Sequence, residues 1–282
     1  VYIGCHVSIR HGYWEAAKAA AAVGAHAFQY FPKNPRSLTV KAYDRKDAAL
    51  CRDYCREHGL ISICHTPYPT NLAVEEPALY AATVQSVRND LEIANACGSV
   101  GLVVHFGQYK GDDPLRGYRV MIRMINEIMD GWDGEAKLLL ENNAGQGSRM
   151  GTTLEELTEV RQLLAHPDKV GFCLDTCHAF ASGMWRGDDW ESLSERMRQS
   201  GYFASLYAVH LNDSVYPAAS FRDRHANIGR GQIGEEYIRG LLQTPELKKL
   251  PVVLETPKGA GGTHRDEIRY VKRLISDGIV VK

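Results

Sequence analysis

Short runs of β-branched and other apolar residues recur along the chain, each followed by a longer stretch whose apolar residues return every three or four positions. The short runs predict strands over residues 2–7, 27–31, 61–65, 100–105, 137–141, 170–175, 206–210 and 252–255. The longer stretches predict helices over 13–23, 47–58, 78–97, 115–129, 154–164, 190–200, 235–242 and 265–276. Thr152 or Thr153 stands where a helix beginning near Glu155 needs a side-chain cap, and Gly59 stands where the 47–58 helix needs a stop. Eight strand-then-helix units, with no Pro/Gly/Ser-rich linker between them, predict an α/β protein occupying residues 1–282 as a single domain. A closed (β/α)8 TIM barrel and an open eight-stranded sheet both satisfy this order.

The strand ends separate the two. His65, His105, Glu141, Asp175, His210 and Glu255 each finish a predicted strand, and each can ligate a metal. In an open sheet such residues would lie along a line at about 4.8 Å per strand. In a barrel the C-terminal ends form a ring, and the same side chains converge. Convergence favours the barrel, with a metal site at the C-terminal ends of its strands. Taken singly, a histidine behind an apolar strand is most often a structural residue. A carboxylate behind three apolar residues, as at Glu141 and Glu255, is costly unless something positive meets it. His178 follows Asp175 within one turn, and Asp223 and His225 sit two apart in a loop, which brings the candidates to nine. His6 sits near the end of the first strand as a supporting group at the same mouth, and His11 stands at a helix start. His26, His58, His166 and His264 fall in helical or helix-boundary patterns and are expected to face solvent.

Imidazole mixed with carboxylate, without thiolate, suits zinc, manganese or iron rather than a structural cysteine site. Nine ligands exceed what one ion needs, so two or three ions are expected. Clustered divalent ions most often serve phosphoryl chemistry, because they acidify water and offset charge on phosphate oxygens.

Composition narrows the function less than this cluster does. The 282 residues carry a formal charge of −1, which argues against a protein that coats nucleic acid through general basicity, but not against a local positive site. No apolar run reaches the length of a membrane span, and no leader pattern precedes the first strand. Seven cysteines, an odd count, suggest reduced thiols in a cytoplasmic protein. Cys51 and Cys55, four apart on a predicted helix, read as buried core residues, with a shared metal as the minor alternative.

Four blocks, in order, carry a resemblance. They are Glu141-Asn142-Asn143-Ala144-Gly145-Gln146-Gly147-Ser148, Asp175-Thr176-Cys177-His178-Ala179-Phe180-Ala181, His210-Leu211-Asn212-Asp213 and Asp223-Arg224-His225. Together with the stretches around His6 and Glu255, the sequence resembles the endonuclease IV family of zinc-dependent apurinic/apyrimidinic endonucleases over nearly its whole length. The resemblance implies a (β/α)8 barrel with three Zn2+ per chain, Mn or Fe being able to substitute at one site. It implies that His65 and His105 hold one ion, with Glu141 bridging to a second. Asp175, His210 and Glu255 would complete the second, and His178, Asp223 and His225 would hold the third. It further implies hydrolysis of the phosphodiester bond 5′ to an abasic site in duplex DNA, as in base-excision repair, leaving a 3′-hydroxyl and a 5′-deoxyribose phosphate. Glu141 would then be the catalytic residue. Arg36 and Tyr68 match the positions that contact DNA by insertion and stacking. The expected partner is damaged double-stranded DNA, met by a monomer with no membrane and no obligate protein partner.

Some positions depart from the family pattern. Pro69 replaces a bulky aliphatic residue, Leu38 an aromatic and Phe106 a proline, while Ala226 and Arg230 stand in for a histidine and a glutamate. These bear on DNA contact more than on metal binding. The alternative reading is a sugar isomerase or epimerase with one metal, which Glu141, Asp175, His210 and Glu255 would satisfy alone. The other five candidates would then have no purpose.

Overall fold

The computed structural model describes residues 1–277, so the last five residues of the expected 1–282 domain lie outside it. Eight parallel strands close into a barrel: β1 (Tyr2–His6), β2 (Ala27–Tyr30), β3 (Ile61–His65), β4 (Gly101–His105), β5 (Lys137–Glu141), β6 (Val170–Asp175), β7 (Leu206–His210) and β10 (Pro251–Leu254). Round the barrel the order is β1-β10-β7-β6-β5-β4-β3-β2, which excludes the open sheet. Two short strands, β8 (Asp213–Ser214) and β9 (His225–Ala226), pair antiparallel outside it.

Alternation along the strands builds two cores. Ala27, Ile63, Val103, Leu139, Cys173, Ala208 and Val253, one from each of seven strands, fill the barrel interior. The opposite faces pack under the surrounding helices in the larger core. At Gly4 of β1 a side chain is impossible, because a Cβ would stand 1.5 Å from the Ala27 carbonyl oxygen. The seven cysteines are all buried and unbonded to one another, Cys51 and Cys55 among them.

The helices are α1 (Tyr13–Ala22), α2 (Arg45–His58), α3 (Pro77–Ala96), α4 (Pro114–Met129), α5 (Leu154–Gln162), α6 (Thr176–Ser182), α7 (Trp190–Gln199), α8 (Glu235–Leu242) and α9 (Arg265–Asp277). Thr153 rather than Thr152 caps α5, in a reciprocal capping box with Glu156. Gly59 ends α2 in the left-handed conformation. Helices α3 and α4 start on prolines, which the first turn tolerates because its N–H groups have no intrahelical partner. Helix α6 has no counterpart in the sequence pattern. Six of its seven residues are buried, so it shows no alternation of polar and apolar faces. No helix among the described residues is long and apolar enough to cross a membrane.

Candidate metal centre

The barrel delivers its chemistry to one mouth. His65, His105, Glu141, Asp175 and His210 are the last residues of β3 to β7, and Glu255 lies one residue beyond β10 rather than within a strand. A register shift between Phe172 and Cys173 sets Asp175 level with His210 across the β6–β7 pair. Asp175 also caps α6 by accepting the His178 N–H at 2.8 Å, which turns the His178 ring toward the same mouth. The β8–β9 pair brings in Asp223 and His225.

All nine side chains therefore share one face. Their ligand atoms fall into three groups: His65, His105 and Glu141; Glu141, Asp175, His210 and Glu255; and His178, Asp223 and His225. Glu141 is the member common to the first two. Its Oε2 lies 3.4 Å from Nε2 of both His65 and His105, and its Oε1 lies 2.9 Å from Nδ1 of His210. The two oxygens of Asp223 face His178 Nε2 at 3.2 Å and His225 Nε2 at 3.4 Å.

Four of the imidazoles are locked from behind. His65 Nδ1 donates to the Thr66 carbonyl at 2.8 Å, and His178 Nδ1 to the Asn142 carbonyl at 2.8 Å. His225 Nδ1 donates to the Glu255 carbonyl at 3.3 Å. His210 is turned the other way: Nε2 donates to Gln29 Oε1 at 2.7 Å, which leaves Nδ1 toward the carboxylates. Each such bond fixes the tautomer and leaves one ring nitrogen aimed into the cluster, as metal ligation requires.

The donor set calls for cations. Glu141 Oε2 and His225 Nε2 are buried without a hydrogen-bond partner, a cost that a positive ion between them and their neighbours removes. Without a cation, protons would carry that charge. Burial opposes the charged form of His210, but Cys173, Glu255 and Glu141 outweigh it and hold the imidazolium well above its ordinary range. Burial likewise opposes charge on His225, which Asp175 and Asp223 nevertheless raise to about 9. Burial alone would raise Glu141, yet His210 and His105 press it well below the usual carboxylate range. Divalent ions replacing those protons fit this arrangement of imidazole and carboxylate. Cys177 Sγ also lies near Asp175 and His225, a thiol beside a set expected to ligate through imidazole and carboxylate alone. Burial pushes that thiol up, and its Sγ faces the Arg224 carbonyl.

A cavity of about 520 Å³ opens over the cluster. Tyr68 lines it, 66% exposed, with its ring 5.1 Å from Phe31. Arg36 is exposed on the loop after β2, beside the cavity-lining Pro35 but outside the lining itself. That loop is anchored at both ends to α3. Lys33 is buried against Asp90 at 2.9 Å, where desolvation raises the Asp90 carboxyl to about 7 against the pull of Lys33. Asn89 binds both the N–H and the carbonyl of Lys41. A bond from Tyr68 N to Pro35 O joins the two loops. Of the departures, Pro69 and Arg230 are exposed and Leu38 half-exposed. Phe106 is wholly buried beneath the centre, its N–H bonded to the Glu141 carbonyl.

Several participants lie outside the sequence-derived set. Gln29 is wholly buried in β2 and binds His210, Glu255 and His6 together; a glutamine inside an apolar strand was its one signal. Asn142 and Asn212 each bind Asp175, and Lys258 lines the cavity from the loop after β10. His264 corrects an expectation. It is buried and lines the cavity rather than facing solvent, because its Nε2 donates to the Thr256 carbonyl at 2.8 Å. His26 and His58 are exposed, His166 is half-buried, and His11 precedes α1 rather than starting it.

The xylose isomerase-like TIM barrel family model matches residues 17–274. Probable endonuclease 4 of Symbiobacterium thermophilum is 44% identical over 273 residues, 97% of this chain and 99% of that one. Probable endonuclease 4 of Thermotoga maritima is 31% identical over 280 residues, 98% of this chain and 97% of that one. The solved structure of endonuclease IV from Thermus thermophilus matches with a TM-score of 0.86 at 31% identity, covering 98% of this chain and 100% of that one. A D-tagatose 3-epimerase-like protein matches with a TM-score of 0.72 at 18% identity over 98% of both chains, a likeness of fold.

Proposed function

The chain belongs to the xylose isomerase-like TIM barrel family and, within it, to the endonuclease 4 relatives, and from that membership we propose a zinc-dependent endonuclease hydrolysing the phosphodiester 5′ to abasic sites in duplex DNA. The products would be a 3′-hydroxyl and a 5′-deoxyribose phosphate, and the setting DNA repair in the cytoplasm. The observation that carries the proposal is the three-group cluster with its locked imidazoles and its shared carboxylate, Glu141. Zinc bound there would acidify water and offset charge on phosphate oxygens. His65, His105 and Glu141 would hold one ion, Glu141 with Asp175, His210 and Glu255 a second, and His178, Asp223 and His225 a third. An epimerase with one ion has use for the second group alone, and the first and third groups argue against it.

The chain's own residues would do the rest. Gln29, Asn142 and the Thr66 carbonyl hold ring orientations, so little reorganisation remains when substrate binds. Tyr68 presents an aromatic face at the mouth, and Arg36 a cation beside it, for the gap left by the missing base. The decisive measurement joins elemental analysis to incision of a duplex carrying one abasic analogue. About three zinc ions per chain and a cut on the 5′ side are expected. One ion per chain, sugar interconversion and no incision would overturn the proposal.

Lys258 gives a finer test. Two lysines line the cavity; Lys33 is paired with Asp90, while Lys258 has no carboxylate within 4 Å among the described residues. An unpaired cation beside a cleft for a polyanion is placed to take one phosphate. Lys258→Ala should therefore flatten the log–log dependence of DNA affinity on salt by about 0.9. An unchanged slope in fluorescence-anisotropy titrations would show that Lys258 touches no phosphate.

A further inference from the structure

Asp213 is wholly buried, with no lysine or arginine within 4 Å among the described residues. Its carboxylate faces backbone instead. Oδ1 accepts N–H groups from Ser214 at 2.8 Å and Ile233 at 2.9 Å, and Oδ2 accepts from Gly229 at 3.1 Å and Gly231 at 3.0 Å. The Gly234 N–H is shared between both oxygens. Such a ring of amide dipoles stabilises a buried anion without a counter-ion. The approach is too close for any side chain at Gly231, where a Cβ would stand 2.4 Å from Asp213 Oδ1.

What Asp213 gathers is the segment that returns from the third ligand group. Asp213 and Ser214 pair antiparallel with Ala226 and His225, and Val215 N bonds to Arg224 O. Residues 229–234 then fold back onto the Asp213 carboxylate, and Gln232 N bonds to Ser214 O. On the far side Glu267 of α9 accepts from Ile228 N at 2.8 Å and Asn227 Nδ2 at 3.0 Å. Asp223 and His225 thus sit on a loop whose exit is tied to two carboxylates, Glu267 at residues 227–228 and Asp213 along residues 229–234. The two-residue β8–β9 pair is little regular structure for a loop of this length, and ligand atoms need placement to within about half an ångström.

We propose that Asp213 is the positioning residue of the third ion site, holding Asp223 and His225 in ligating geometry while touching neither. The inference rests on the three-ion reading above. Asparagine in its place would keep the volume but turn an amide N–H toward backbone N–H donors on one side, breaking the ring.

The test compares wild type with Asp213→Asn by zinc stoichiometry and by amide hydrogen exchange. Expected are the loss of one ion of three, loss of protection confined to residues 215–234, and a fall in kcat of about 10- to 100-fold with little change in KM. Raised zinc should restore part of that activity, which a merely structural defect would not allow. Gly231→Ala, which pushes the same segment away, should reproduce the pattern. Full metal content with unchanged protection of 215–234 in Asp213→Asn would overturn the proposal. If that variant fails to fold, rapid exchange of the 229, 231, 233 and 234 amides in wild type would overturn it, and slow exchange would support it. A wild type holding fewer than three ions counts against the three-ion reading, while the exchange comparison still decides the role of Asp213.

Discussion

Glu141→Gln is expected to leave the barrel folded and to lower kcat for abasic-site incision by about three orders of magnitude, or about 4 kcal/mol in the barrier. The fold should survive because the substitution is nearly isosteric and β5 is held by its backbone, including the bond from Phe106 N to the Glu141 carbonyl. The chemistry should not. Glu141 joins the His65–His105 group to the Asp175–His210–Glu255 group, and its two oxygens face different imidazoles. A neutral amide removes the negative charge and converts one of those oxygens into a donor aimed at ring nitrogens. Both groups lose their common member at once, a larger injury than the 10- to 100-fold typical of a supporting residue. The measurement is single-turnover incision, read with melting temperature and metal content. Turnover near wild type with a full complement of metal would remove Glu141 from the catalytic role.

Stripping the metals with a chelator should be the broader injury. Incision is expected to fall by at least about 10³-fold and DNA affinity by about 10-fold or more. The melting temperature should fall by roughly 5–10 °C for each ion lost, as an ion present at about 100 times its Kd contributes about 2.7 kcal/mol. Electrostatics explains the loss of affinity. The chain is formally −1, so it has no general attraction for a polyanion, and its mouth carries Glu141, Asp175, Asp223 and Glu255. Without divalent ions only protonated histidines offset those carboxylates. Zinc should restore incision and stability together, and magnesium should not, because imidazole-rich sites favour the softer ion. Unchanged melting and incision after verified metal removal would contradict the proposed centre.

Much of the fold was legible because its signals are local. Apolar runs ended by His65, His105, Glu141, Asp175 and His210 name their own strands and their own C-terminal ends, and the structure places each of these residues last in its strand. Gly59 and the pair Thr152–Thr153 marked helix boundaries through backbone chemistry within a few residues of themselves, and the structure chose Thr153 as the cap. Helix α6 escaped because burial on all sides erases periodicity. Strands β8 and β9 escaped because two residues carry no pattern. His264 was misread for a related reason: its helix-boundary position is polar in pattern, and its burial depends on the Thr256 carbonyl, eight residues upstream.

By itself, then, the sequence determined the parallel α/β order and the nine imidazole and carboxylate side chains gathered near strand ends, since residue type and spacing alone encode those. Only the tertiary structure decided that Gln29, 181 positions before His210, turns that ring toward the carboxylates. It alone showed Asp213 closing the loop that bears Asp223 and His225. Those outcomes depend on contacts between segments remote in sequence. Such contacts are set by barrel closure and strand register, which no local pattern specifies.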